Sequence, residues 1–106
     1  MKRAETIKEK KLFNNIIRNG KFKKNDYYVL YNIRKDEEKT NYGIAISKKV
    51  GNAVIRNKLK RQTRAIIDSH RNLFKNNHNY IIMIRKSCAD TKYEVLEQAL
   101  VKLLEN

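Results

Sequence analysis

Seven lysines and arginines fall between Lys48 and Arg64, in the run KKVGNAVIRNKLKRQTR, and no carboxylate falls among them. The chemistry open to such a run is electrostatic: it neutralises phosphate or another polyanion. From Ala53 onward Ile55, Leu59 and Ile66 recur at the spacing of one helical face. At about 100° per residue Arg56, Lys60 and Arg64 share a second face, which Asn57 and Arg61 widen. A solvated helix usually mixes carboxylates among its lysines, because a row of like charges repels itself by a few tenths of a kcal/mol per pair. An uncompensated row therefore points to a polyanionic partner.

Bond-making chemistry has less to work with. A metal-free nuclease needs a histidine paired with a second histidine, a lysine or a carboxylate as general acid and base. Only His70 and His78 are present; the first falls near the apolar side of the basic helix, the second in an Asn-rich loop, neither with an evident partner. A two-metal nuclease needs clustered Asp and Glu, and the eleven carboxylates are scattered, mostly over the first helix, a polar loop and the last helix. Cys88 is alone, which excludes an internal disulfide and a cysteine-rich zinc site and predicts a free, unreactive thiol. No catalytic residue and no metal-ligand set is assigned to the chain itself.

The elements that must hold the basic row follow from length and patterning. At 106 residues the expectation is one domain, residues 1–106, with a two-layer fold. Lys and Arg number 25 against 11 Asp and Glu, a formal charge of +14, which suits a nucleic-acid binder. The codon bias of an AT-rich genome would inflate Glu as well as Lys, so it does not explain the imbalance. No apolar run approaches the roughly 18–20 residues needed to span a bilayer. The N-terminal MKRAETIKEKKLF is charged throughout and has no secretory core. The expectation is a soluble, cytoplasmic protein.

In chain order, the capping box Thr6-x-x-Glu9 predicts a first helix running to Gly20, with Leu12, Phe13, Ile16 and Ile17 as its apolar stripe. Phe22–Lys24 and Tyr27–Ile33 read as strands around an Asn25-Asp26 turn, with Tyr27, Val29, Tyr31 and Ile33 on one face. Arg34–Asn41 is a polar loop with no interpretable motif. Tyr42–Ser47 reads as a strand whose Gly43, Ala45 and Ser47 leave one flat face, open to close approach by a helix or a nucleotide backbone. The basic helix continues to about His70. Tyr80–Ile84 is a nearly continuous apolar run that fits a central strand covered on both faces, with Arg85 at its end a further candidate for RNA contact. Thr91-x-x-Glu94 opens a last helix with Val95, Leu96, Ala99, Leu100, Leu103 and Leu104 inward.

Lys48-Lys49, Gly51, Ala53-Val54, Arg56-Asn57, Lys60-Arg61 and Arg64 stand together as in the protein subunit of bacterial ribonuclease P. The chain resembles that family also from Phe13 and Gly20 through Tyr31 and Gly43–Ser47 to Tyr80–Arg85. The resemblance implies an α+β fold: a two-layer αβββαβα sandwich on a four-stranded mixed sheet, with a left-handed β-α-β crossover where a right-handed one is the physical default. It implies a subunit of an endoribonuclease whose catalytic centre lies in its RNA with bound Mg²⁺. That RNA, rather than dedicated protein ligands, would hold the ion. The partners implied are ribonuclease P RNA and precursor tRNA, with no membrane and no protein partner required. Lys48, Lys49, Asn52, Arg56, Asn57, Lys58, Lys60, Arg61 and Arg64 would bind RNA. Phe13, Ile17 and Tyr31 would line a cleft for the single-stranded 5′ leader, whose removal gives the mature tRNA 5′ end.

Three departures accompany the match. The family's common Arg-Asn-Arg reads Arg56-Asn57-Lys58 here, keeping the charge without the planar fork. Ile17 stands where a second aromatic is often found and offers apolar wall but no stacking face. The basic C-terminal tail of many members has no counterpart before Asn106, so no contact is expected from that end. The alternative class is a ribosomal or other structural RNA-binding protein. A helix-turn-helix DNA reader is disfavoured, because a strand pattern rather than a short-turn partner helix precedes the basic helix.

Overall fold

The computed structural model describes residues 1–105. The chain forms α1 (Lys10–Asn19), β1 (Lys21–Lys24), β2 (Tyr28–Arg34), β3 (Asn41–Ile46), α2 (Ala53–Ser69), β4 (His78–Ile84) and α3 (Tyr93–Glu105), the predicted αβββαβα succession. Its four strands make one mixed sheet in the order β1-β2-β4-β3. Pairing is antiparallel from β1 to β2 and from β2 to β4, and parallel from β4 to β3 across the α2 crossover. β4 thus lies between two strands that precede it in sequence. Its apolar run follows from that position, since Asn79 to Ile82 and Ile84 are all buried.

Alternation of side chains along the strands divides the apolar residues between two faces. Tyr28, Leu30, Tyr42, Tyr80, Ile82 and Ile84 point into the larger core under α2 and α3, which supply Leu59, Ile66, Ile67, Leu96 and Leu100 among others. On the opposite face Ile81 meets Ile7 and Ile16, and α1 with the segment just before it covers the sheet there, with Leu12, Phe13, Ile17, Tyr31, Ile33 and Ala45 half-buried around them. This face carries the flat strand surface expected of β3: a Cβ on Gly43 would stand 2.8 Å from Cε2 of Phe13, so the missing side chain is what lets α1 settle on the sheet.

Four local expectations are not met. Thr6 does not open α1; Glu9 occupies the cap position without a side-chain bond. Thr6 instead pairs with Tyr42 as an isolated bridge, and the Ile7 N–H donates to the Tyr42 carbonyl at 2.8 Å, extending the segment. Tyr27 precedes β2, because the Asn25 side chain accepts the N–H groups of both Tyr27 and Tyr28 at 2.9 Å and bends the chain there; its side chain joins the larger core instead of the Tyr31 face. The Thr91 hydroxyl donates to the Ser87 carbonyl at 2.6 Å and does not cap α3. Val95 is 40% exposed, since Leu96, Ala99, Leu100 and Leu103 already define the inward face.

Gly20 ends α1 as predicted, but space is the reason and not a left-handed turn, for its φ is −77°. An added Cβ would lie 2.5 Å from the Ile16 carbonyl oxygen and 2.7 Å from that of Asn32, both backbone atoms. Gly20→Ala is therefore expected to lower stability by about 1–3 kcal/mol, measured by chemical denaturation, because the helix end must lift from β2.

The N-terminal segment is pinned to the end of α2 by Arg71, which donates to Glu5 through two nitrogens at 2.6 and 2.9 Å and to Asp68 at 2.8 Å. Hydrogen bonding from Arg71 holds the Glu5 carboxyl down at about 2, against an ordinary 4.5. A carboxylate pKa lowered on folding adds stability that is complete above the unfolded value and fades as pH falls towards the folded one. Wild-type protein should thus exceed Glu5→Gln in stability by on the order of 1 kcal/mol near neutral pH, the half-exposed guanidinium limiting the gain. The gap should close between pH 4.5 and 2, the two ends of the Glu5 shift, as read from paired melting curves.

Candidate nucleic-acid interface

α2 forms where the sequence supplies a cap and an apolar stripe. The Asn52 Oδ1 accepts the Ile55 N–H at 3.0 Å, so this predicted RNA-binding residue already spends its carbonyl on the helix start. Leu59, Thr63, Ile66 and Ile67 are buried, and the Thr63 hydroxyl is satisfied by donating to the Leu59 carbonyl at 2.8 Å. The opposite surface carries Asn57, Lys58, Arg61 and Arg64 exposed, flanked by half-buried Arg56 and Lys60. None of the ion pairs among the described residues involves any of these cations. Lys48 and Lys49 stand exposed on a 3-10 turn just after β3, fixed where the Ser47 hydroxyl accepts the Lys49 N–H at 3.2 Å.

Phe13, Ile17 and Tyr31 come together on the other face of the sheet, around Ile16 and Ile81. Tyr31 sits in a cross-strand row that runs Phe22, Tyr31, Ile81, Gly43 from one edge of the sheet to the other. The next row, Val29, Met83 and Ala45, floors a groove that Lys49, Arg85 and Lys86 border. An apolar, partly aromatic surface therefore passes at its end into cations that lead directly to the start of α2. Such a combination can stack unpaired bases and neutralise the phosphates that join them.

The family model for ribonuclease P matches residues 1–106. The chain belongs to the ribonuclease P family. The ribonuclease P protein component of Bacillus cereus is 33% identical over 106 residues, covering 99% of this chain and 92% of that protein. Among solved structures, the RNase P protein of Staphylococcus aureus superposes with a TM-score of 0.89 at 29% identity, covering 97% of this chain and 94% of that one. The RNase P protein of Thermotoga maritima gives 0.86 at 25% identity, covering 95% and 96%. Membership of the ribonuclease P family places the chain in tRNA processing, as a subunit of an endoribonuclease associated with ribonuclease P RNA.

Several side chains outside the interface have partners that their sequence reading does not supply, and Cys88 is the free, unreactive thiol expected. His70 does have a partner: its Nε2 lies 2.9 Å from Oε2 of Glu97, joining the end of α2 to α3. This contact lies far along the sequence and no spacing rule would find it. The His78 Nδ1 lies 2.7 Å from the Asn76 carbonyl, and its ring stacks on Tyr80 at 5.9 Å. Cys88 is fully buried, donates to the Tyr27 carbonyl, and burial pushes its thiol up to about 11, which makes it inert at neutral pH. Arg85 is exposed but already donates from Nη1 to the Asn25 carbonyl at 2.6 Å, bracing the β1–β2 turn.

Phe22 is the residue of this surface that sequence reasoning misses. It is 60% exposed, with its ring centroid 5.9 Å from that of Tyr31. A signal for it does exist: a lone aromatic between lysines in the alternating KFKK of an edge strand has no core to enter.

Proposed function

We propose that the chain is the protein subunit of the ribonuclease P ribonucleoprotein, assisting Mg²⁺-dependent removal of the 5′ leader from precursor tRNA in the cytoplasm. The single observation carrying this reading is the junction of two surfaces, the apolar, partly aromatic surface beside α1 with the groove that continues it and the unpaired basic face of α2, joined through Lys49. Lys48, Lys49, Arg56, Asn57, Lys58, Lys60, Arg61 and Arg64 contact the catalytic RNA and its junction with the leader, the free amide end of Asn52 beside them. Phe13, Ile17 and Tyr31 hold the leader, whose unpaired bases stack without regard to identity because each offers a π-face.

Cleavage itself is the RNA's. Among the described residues no three His, Cys, Asp or Glu gather to hold a metal, and a face of lysines and arginines repels a divalent cation. The chain's own residues therefore do not fit Mg²⁺, which the RNA binds. The protein lowers the counterion demand of bringing two polyanions together. Reconstitution with ribonuclease P RNA from the same source tests this: the protein alone should cleave nothing, and the complex should cleave precursor tRNA at Mg²⁺ concentrations where the RNA alone is slow. Cleavage by rigorously RNA-free protein would overturn the assignment.

A further inference from the structure

We propose that a long leader does not end in the cleft but passes over the sheet edge at β1, and that its distal phosphates seat in a second groove on the opposite face. The proposal rests on the leader reading of the cleft. β1 is four residues long and exposed throughout. Paired residues of neighbouring strands point to the same face, so its register sends its side chains both ways. Phe22 pairs with Tyr31 on the cleft face, while Lys21 and Lys23 pair with Asn32 and Leu30. Leu30 is buried in the core under α2 and α3, so the two lysines stand on that opposite face.

There an open groove of about 580 Å³ lies between β1 and the C-terminal end of α3. Its floor is apolar, built on Leu30, Tyr80 and Leu104, and its border carries Lys21, Lys23, Arg34 and Lys75. No Asp or Glu among the described residues lines it, and none of the ion pairs among those residues engages these four cations. Phe22 is among the residues bordering this groove while its ring lies beside Tyr31 on the cleft face, so a single residue of the edge strand reaches both surfaces. Cations with no carboxylate call for an anion, and continuity with the cleft makes the anion the same strand of RNA.

The test uses the reconstituted holoenzyme and precursor tRNAs with leaders of graded length, comparing wild type, Tyr31→Ala and the triple variant Lys21→Gln, Lys23→Gln, Lys75→Gln. Wild-type affinity should keep rising after the cleft is filled. The triple variant should abolish only that further rise, losing about tenfold on the longest leader and flattening its log-log salt slope by about two units, at roughly 0.7 for each single-strand phosphate neutralised. Short-leader precursor and mature tRNA should bind as before. Phe22→Leu, which keeps an apolar side chain but removes the ring, should show a loss confined to the same long leaders. An equal loss at every leader length, or none at all, overturns the proposal while leaving the cleft intact. If instead Tyr31→Ala also binds all leaders normally, the cleft reading itself has failed.

Discussion

Replacing Arg56, Lys60, Arg61 and Arg64 together by alanine should flatten the salt dependence of binding to ribonuclease P RNA by up to about four units, about one for each phosphate no longer neutralised. Affinity at low salt should fall by on the order of two decades or more, and the wild-type and variant curves should converge as salt rises, since counterion release is what the substitutions remove. Folding should survive, because the apolar face of α2 is held by Leu59, Ile66 and Ile67, each at most 3% exposed, and unpaired surface cations contribute little to stability. Binding titrations over a salt series, with circular dichroism as the control, decide the matter. An unchanged slope, or loss of the native spectrum, means that this face is not where RNA lies.

Tyr31→Ala carries the second large effect. The ring is half-buried between Phe22 and the Ile81 cluster, and a base stacking on it gains about 1–3 kcal/mol. Holoenzyme affinity for leader-bearing precursor tRNA should fall by that amount, while mature tRNA binds almost as before. Tyr31→Phe should retain the stacking and hence the discrimination. Phe13→Ala is a poorer probe, since the ring packs against Gly43 and its removal can cost about 3 kcal/mol or more of folding stability. A folded Tyr31→Ala protein that still separates long-leader precursor from mature tRNA would make Tyr31 an ordinary sheet residue.

What can be read from the residues is whatever depends on periodicity. The alternation in β3, the apolar run of β4 and the stripe of α2 each report a face, and faces are set by the neighbours of the whole element. Resemblance puts Phe13, Ile17 and Tyr31 on one surface, and the Gly43 gap explains why that surface exists. What stays hidden is settled by individual contacts that the periodic pattern does not encode, some distant in the chain and some a single turn away. Thr6 meets Tyr42, Thr91 turns to Ser87, and His70 finds Glu97. Phe22 escapes for a different reason: its neighbour Tyr31 is known only once the β1–β2 register is fixed.

The position of β4 also orders events in time. β2 and β3 are consecutive in the chain yet never pair, because the strand that joins them is made only after α2. Until residues 78–84 arrive, a growing chain holds two unmatched strand edges, and the parallel partnership across α2 is a long-range closure of the slow kind. Ile81 and Met83, under and beside Tyr31, come with that last strand. A half-made chain therefore already carries its row of cations before it has any cleft. It would cling to RNA indiscriminately at first, and selectivity would come with the closing of the sheet.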